Sequence, residues 1–123
     1  SENNVQISYE VSDALSYSTN NQFDLISIIF FHLTPSLRFS FHRNLNNYLK
    51  PGATVLLECF SKSQLGNSSG GPKSTDLLYS VNQLETDFDY LNILSLKERE
   101  IDLNEGSFHQ GQASVVRMIA QKT

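Results

Sequence analysis

The sequence predicts an α/β fold, and three observations predict it. Residues 23–31, FDLISIIFF, and residues 53–60, ATVLLECF, are apolar nearly throughout, as strands of a parallel sheet covered on both faces are. Between them, apolar side chains recur at helical spacing, so the unit from Phe23 to Phe60 reads β, α, β with a right-handed crossover. Beyond it, YLNILSLKEREIDL and ASVVRMIAQK alternate on either side of a turn and read as an antiparallel hairpin that closes the sheet.

The elements follow in chain order. Residues 4–11, NVQISYEV, alternate Val5, Ile7, Tyr9 and Val11 with polar neighbours, the period of a strand with one buried face. Ser12 and Asp13 then suit a turn or a cap, and residues 16–22, SYSTNNQ, are polar loop. Thr34 and Pro35 start a helix as N-cap and N1. Leu37, Phe41, Leu45 and Leu49 follow at spacings of four with Tyr48 alongside, which predicts an apolar face and places Arg38, His42, Arg43 and Asn46 toward water. By that reading His42 is solvated and inert. Pro51 and Gly52 are expected to stop the helix. Residues 61–76, SKSQLGNSSGGPKSTD, have the composition of a flexible loop, functional or mobile. Ser80 and Gln83 then form a capping box in front of a short helix, VNQLETDF.

At 123 residues the chain is expected to form a single domain over 1–123. A formal net charge of -4, with the basic residues scattered, speaks against nucleic-acid and anionic-membrane partners, which need clustered Lys and Arg. The apolar run Leu25 to Phe31 is broken by Ser27 and falls far short of the roughly 20 residues that span a bilayer. Cys59 has no second cysteine to pair with, which favours a reducing, cytoplasmic setting, and reads as a small buried apolar residue. No Ser/His/Asp set, zinc-spaced Cys or His pair or Walker sequence is present, so hydrolase and metal readings have little support.

Five pieces in order carry a resemblance: Asp13 after a strand, FDLISIIFFHL, LKPGATVLLECF, GGPK, and HQGQASVVRMIAQK. Together they resemble the second half of class I S-adenosylmethionine-dependent methyltransferases, of the small bacterial type related to tellurite-resistance and thiopurine methyltransferases, over essentially the whole chain. The resemblance implies a partial Rossmann-like sheet that begins near the family's third strand. The first strands and the Gly-rich loop are missing from it, since residues 1–22 contain no glycine. It further implies S-adenosylmethionine as cofactor of the full-length parent, a small-molecule methyl acceptor, and an isolated chain that binds no cofactor and is inactive.

Roles carry over residue by residue. Asp13 and Ala14 resemble the adenine-binding positions, although Asp13 serves a turn equally well. Phe30 and Phe31 end a strand at the carboxyl edge, where such sheets place ligands, and could pack on the cofactor or in the core. His32 suits a general base, or merely closes the strand. Glu58 could hold a substrate amine or a loop, or pair with a residue such as Lys73. Gly70, Gly71, Pro72 and Lys73 resemble a lid over the substrate, and His109 in the closing hairpin could reach the same pocket. In the family's strand order, 3-2-1-4-5-7-6, strand 23–31 would lie beside the absent first strand. Its apolar edge is therefore expected to be covered by a second copy in a homodimer, by exchange with one, or by NVQISYEV in a position foreign to the family. The alternative function, from a different class, is a non-catalytic binding or dimerisation module that reuses the half-fold.

Overall fold

The computed structural model describes residues 5–67, 70–104, 106 and 110–123. A four-stranded sheet carries the chain: β1 (Phe23–Ile29), β2 (Leu49–Phe60), β3 (Asn92–Asn104) and β4 (Gln110–Gln121), in the order β1-β2-β4-β3. β1 and β2 are parallel, joined through helix α1 (Pro35–Asn44), and β4 runs antiparallel to both β2 and β3. Helix α2 (Val81–Asp87) precedes the hairpin. The α/β class, the βαβ unit, the short helix and the terminal hairpin all stand as the sequence predicts.

Both helices pack on one face of the sheet. Val55, Leu57 and Cys59 of β2 and Val116, Met118 and Ala120 of β4 are buried there with Leu45, Leu84 and Phe88 in one continuous core. A smaller core on the carboxyl side joins Phe60, Leu78, Leu103, Ala113 and Val115. The other face of β1 is open, and of its seven residues Ile28 alone is buried while Phe23, Leu25 and Ile29 are exposed. The nearly all-apolar composition of this strand predicted cover on both faces, and within the chain it has it on one.

Local chemistry explains the second helix directly. The Ser80 hydroxyl accepts the Gln83 N–H at 3.2 Å, and the Gln83 side chain accepts the Ser80 N–H at 3.1 Å, so the capping box is closed. The first helix departs from expectation. It ends at Asn44, a 3-10 turn covers Leu45–Tyr48, and β2 already begins at Leu49, ahead of Pro51 and Gly52. Gly52 stands at φ 83°; its N–H donates to the Lys122 carbonyl at 2.8 Å, and the Lys122 N–H donates to the Ala53 carbonyl at 2.8 Å. The Pro-Gly pair thus bends a strand rather than stopping a helix.

Two further expectations are corrected. Residues 5–22 form no strand, and Ile7, Tyr9 and Val11 are exposed, so NVQISYEV does not cover the edge of β1 within the chain. Its period-2 pattern is genuine, but a strand needs a ladder partner. Arg38 and His42 are buried at 4% and 0% exposure while Leu37 and Phe39 are exposed, so α1 turns a polar pair inward. Among the described residues no helix is long and apolar enough to cross a membrane.

Candidate functional site

The carboxyl ends of β1 and β2 carry an aromatic stack. Phe30 follows β1 in the left-handed region, at φ 52°, a conformation that bulky residues seldom adopt outside constrained sites. Its N–H donates to the Glu58 carbonyl at 2.7 Å, and its ring stacks on Phe60 with centroids 4.6 Å apart. His32 stacks near Phe60 as well, at 5.7 Å. The His32 Nδ1–H donates to the Leu77 carbonyl at 2.5 Å and Nε2 accepts the Phe60 N–H at 3.3 Å, which defines a neutral tautomer. Burial lowers its pKa and outweighs the opposing pull of the Leu77 carbonyl. Both ring nitrogens are engaged by backbone, so in this conformation His32 ties strand ends together.

The loop after β2 closes over this stack. Gln64 is buried; its side chain accepts the Ser114 N–H at 2.8 Å and donates to the Gly70 carbonyl at 2.9 Å. Gly71, at φ 87°, lies so close to the Phe60 ring that a Cβ there would stand 2.8 Å from it. Pro72 is half-buried and Lys73 exposed.

A separate groove runs along β1. A cavity of about 310 Å³ lies between residues 10–17, β1 and α1, with Ala14, Tyr17, Phe23, Ile26, Phe41 and Tyr48 in its walls. It opens into a shallower hollow where Ala14 and Phe41 meet Phe31 and Ile28. Asp13 shapes the groove through its own turn: its carboxylate accepts the Leu15 N–H at 2.9 Å and its carbonyl the Ser16 N–H at 3.1 Å. Tyr48 then holds the next stretch, donating to the Tyr17 carbonyl at 3.3 Å.

Between the two helices sits a charged network that sequence reading missed. Asp87 of α2 accepts from Arg38 Nε at 3.0 Å and from His42 Nδ1 at 2.8 Å, all three residues being buried. Burial lowers the His42 pKa, against the pull of Asp87. For Asp87, burial pushes upward but the hydrogen bonds from His42 and Arg38 prevail and hold the carboxyl below its ordinary value. Arg38 also lies over the Tyr79 ring, 5.4 Å from its centroid, and Tyr90 donates to the His42 carbonyl at 2.5 Å. An Arg and a His one turn apart on a helix, with an acid on a later helix, was the one available signal.

The predicted site residues therefore separate into groups. Phe30, His32, Gly70, Gly71 and Pro72 gather around Phe60, while Ala14 and Phe31 share the groove with Phe41. Asp13 stays in its turn, and Glu58 pairs across strands with Arg117 rather than Lys73. His109 lies outside the described residues. Cys59 is fully buried, and burial pushes its thiol up to about 12.

Comparison with known proteins adds the fold. No family model matches the sequence, and no curated protein matches it. Among solved structures, TehB from Haemophilus influenzae superposes with a TM-score of 0.74 at 17% identity, over 99% of this chain and 43% of that one. An S-adenosylmethionine-dependent methyltransferase from Methanosarcina mazei gives 0.66 at 19% identity, over 92% of this chain and 66% of that one. The N-methyltransferase NodS from Bradyrhizobium japonicum, in complex with S-adenosyl-L-homocysteine, gives 0.66 at 14% identity, over 98% and 57%. The chain thus has the fold of part of these proteins and spans 43% of the length of TehB.

Proposed function

We propose that the chain is the carboxyl-side part of an S-adenosylmethionine-dependent methyltransferase acting on a small molecule, and that these 123 residues do not turn over alone. The observation that carries the reading is the apolar groove along β1, which brings Ala14 and Phe31 together beside Ile26 and Phe41. The superposition on TehB and on methyltransferases from two further organisms supports it. A flat heteroaromatic ring fits such walls, because its faces replace water with apolar contacts on both sides.

The residues present fit the adenine end of the cofactor and not its amino-acid end. Holding the latter needs backbone amides at close approach, which glycine permits, and residues 1–22 contain none. What its own residues do is shape the groove: the Asp13 turn positions Ala14, and the Tyr48 hydroxyl holds the segment that follows.

The test is a titration followed by two-dimensional NMR. Adenosine is expected to shift the signals of Ala14, Ile26, Phe31 and Phe41 with weak affinity, and a spectrum unmoved by saturating adenosine removes the reading. Calorimetry with S-adenosylhomocysteine is expected to give no tight stoichiometric binding. Tight one-to-one binding would show that the cofactor site is complete without a glycine loop and would overturn the inactivity of the chain.

A further inference from the structure

The two aromatic residues that follow β1 have exchanged faces. Cys59 and Phe60, successive on β2, belong to the main and the smaller core, so those cores lie on opposite faces of the sheet. Ile28 is buried in the main core and Ile29 is exposed, so alternation would send Phe30 after Ile28 and Phe31 after Ile29. The reverse is found. Phe30 packs into the smaller core against Phe60, whereas Phe31 packs into the main core and meets the Phe41 ring edge-on at 5.2 Å. The left-handed φ of Phe30, 52°, turns the chain and ends the alternation. Phe31 thereby enters the groove beside Ala14.

A bulky residue in that conformation is strained, and the strain persists only where the surroundings hold it. The hold falls on the next carbonyl. The Tyr79 hydroxyl donates to the Phe31 carbonyl at 2.7 Å, and the Cys59 thiol reaches the same oxygen at 3.6 Å. Tyr79 is itself fixed through its backbone and its ring. Its N–H donates to the Phe60 carbonyl and its carbonyl accepts the Lys62 N–H, both at 3.0 Å. The Arg38 guanidinium lies over the ring and His42 meets it edge-on at 5.9 Å, so the two side chains that share Asp87 also bear on Tyr79. The ring is 1% exposed and lies behind the groove wall rather than in it. Burial raises its pKa above the ordinary 10, so the hydroxyl keeps its proton well into the alkaline range.

We propose that Tyr79 is a positioning residue of the ligand groove: through the Phe31 carbonyl it holds the Phe31 ring as a wall for a flat heteroaromatic ligand, without touching that ligand. The proposal rests on the reading of the groove as the adenine end of a cofactor site. Its physical content is an order of dependence. The end of β2 places Tyr79, Tyr79 fixes the Phe31 carbonyl, and Phe30 carries the backbone strain, so the wall is rigid before a ligand arrives. Without the hydroxyl Phe30 can relax, and Phe31 is free to return to the face that alternation sets for it.

Tyr79→Phe removes the hydroxyl and keeps the ring. Tyr90→Phe is the matched control, since the Tyr90 hydroxyl also donates to a backbone carbonyl, that of His42. Both variants and the unaltered 123-residue chain are titrated with adenosine and followed by NMR. Tyr79→Phe is expected to move the Phe31 carbonyl carbon signal upfield in the free chain and to weaken adenosine roughly fivefold, the worth of one hydrogen bond. Tyr90→Phe leaves both unchanged. In the unaltered chain adenosine is expected to shift the Tyr79 ring signals along with those of Phe31, a readout that serves even where Tyr79→Phe does not fold. Equal affinity in Tyr79→Phe and the unaltered chain overturns the positioning role and leaves the groove reading standing. So does an equal loss in Tyr90→Phe, or a Tyr79 ring that stays still while Phe31 moves. An unaltered chain that adenosine does not perturb overturns both.

Discussion

His42 and Asp87 meet in the core 2.8 Å apart, imidazole Nδ1 on carboxylate Oδ2, across the contact between the two helices. The same carboxylate oxygen holds Arg38 Nε at 3.0 Å. One acid thus partners two buried cationic or potentially cationic groups, and α1 is oriented by a polar clamp as well as by apolar packing.

Removing the charge of Asp87 leaves Arg38 buried without a counter-ion. Asp87→Asn preserves shape and is expected to cost ~3–5 kcal/mol, the range for breaking a buried ion pair from one side. Urea unfolding followed by circular dichroism measures it. A loss below ~1 kcal/mol would mean that Arg38 escapes to water when unpaired, at the surface value for such pairs.

Stability should fall on acidification. His32 and His42 have folded pKa values below their ordinary 6.5, so the unfolded chain takes up protons more readily. Their contribution is complete above about pH 6.5 and is lost as pH falls below it. Asp87, held below its ordinary 3.8, adds a loss of the same sign at lower pH. Melting temperatures measured between pH 8 and pH 5 should decline, and the decline should be shallower, though present, in His42→Gln, because His32 remains.

Two glycines separate strain from collision. Gly52 and Gly71 both have positive φ, 83° and 87°, but an added Cβ meets nothing within 4 Å at Gly52 and meets the Phe60 ring at 2.8 Å at Gly71. Gly52→Ala should cost ~1–2 kcal/mol from backbone strain alone. Gly71→Ala should cost ~1–3 kcal/mol more through overpacking and disturb the Phe30–Phe60 stack, visible in near-ultraviolet dichroism. Equal losses at the two positions would mean that the loop yields freely around Phe60.

The capping box makes a smaller claim. Ser80→Ala removes the acceptor for the Gln83 N–H and should destabilise by ~1 kcal/mol, read from the denaturant midpoint at unchanged slope.

Cys59 should be inert in the native chain. With its thiol pushed from 9.0 to about 12 by burial, its thiolate population at mildly alkaline pH is reduced. Iodoacetamide should therefore react roughly a thousandfold more slowly than in urea, before any loss of access is counted. Equal rates in the two conditions would show that β2 opens readily.

Much of this protein was determined by its sequence alone, wherever the physics is local. The apolar runs around Ile28 and Val55 make strands, and Ser80 with Gln83 makes a cap within four consecutive residues. The alternation at 90–103 and 113–122 makes a hairpin whose ladder is closed by its own neighbour. The groove was half legible: Ala14 and Phe31 were named, but Phe41 and Tyr48, which wall it, were read as helix face and nothing more.

The tertiary structure alone decided the rest, because the deciding partners lie far along the chain. Arg38 and His42 turn inward since Asp87, 49 and 45 residues away, supplies the charge that makes their burial tolerable. Glu58 is committed to Arg117, 59 residues on, by the register of β2 against β4. The pattern at 4–11 is that of a strand, yet residues 5–11 form none and are exposed, because alternation sets which face a strand would bury and a neighbouring ladder sets whether the strand exists.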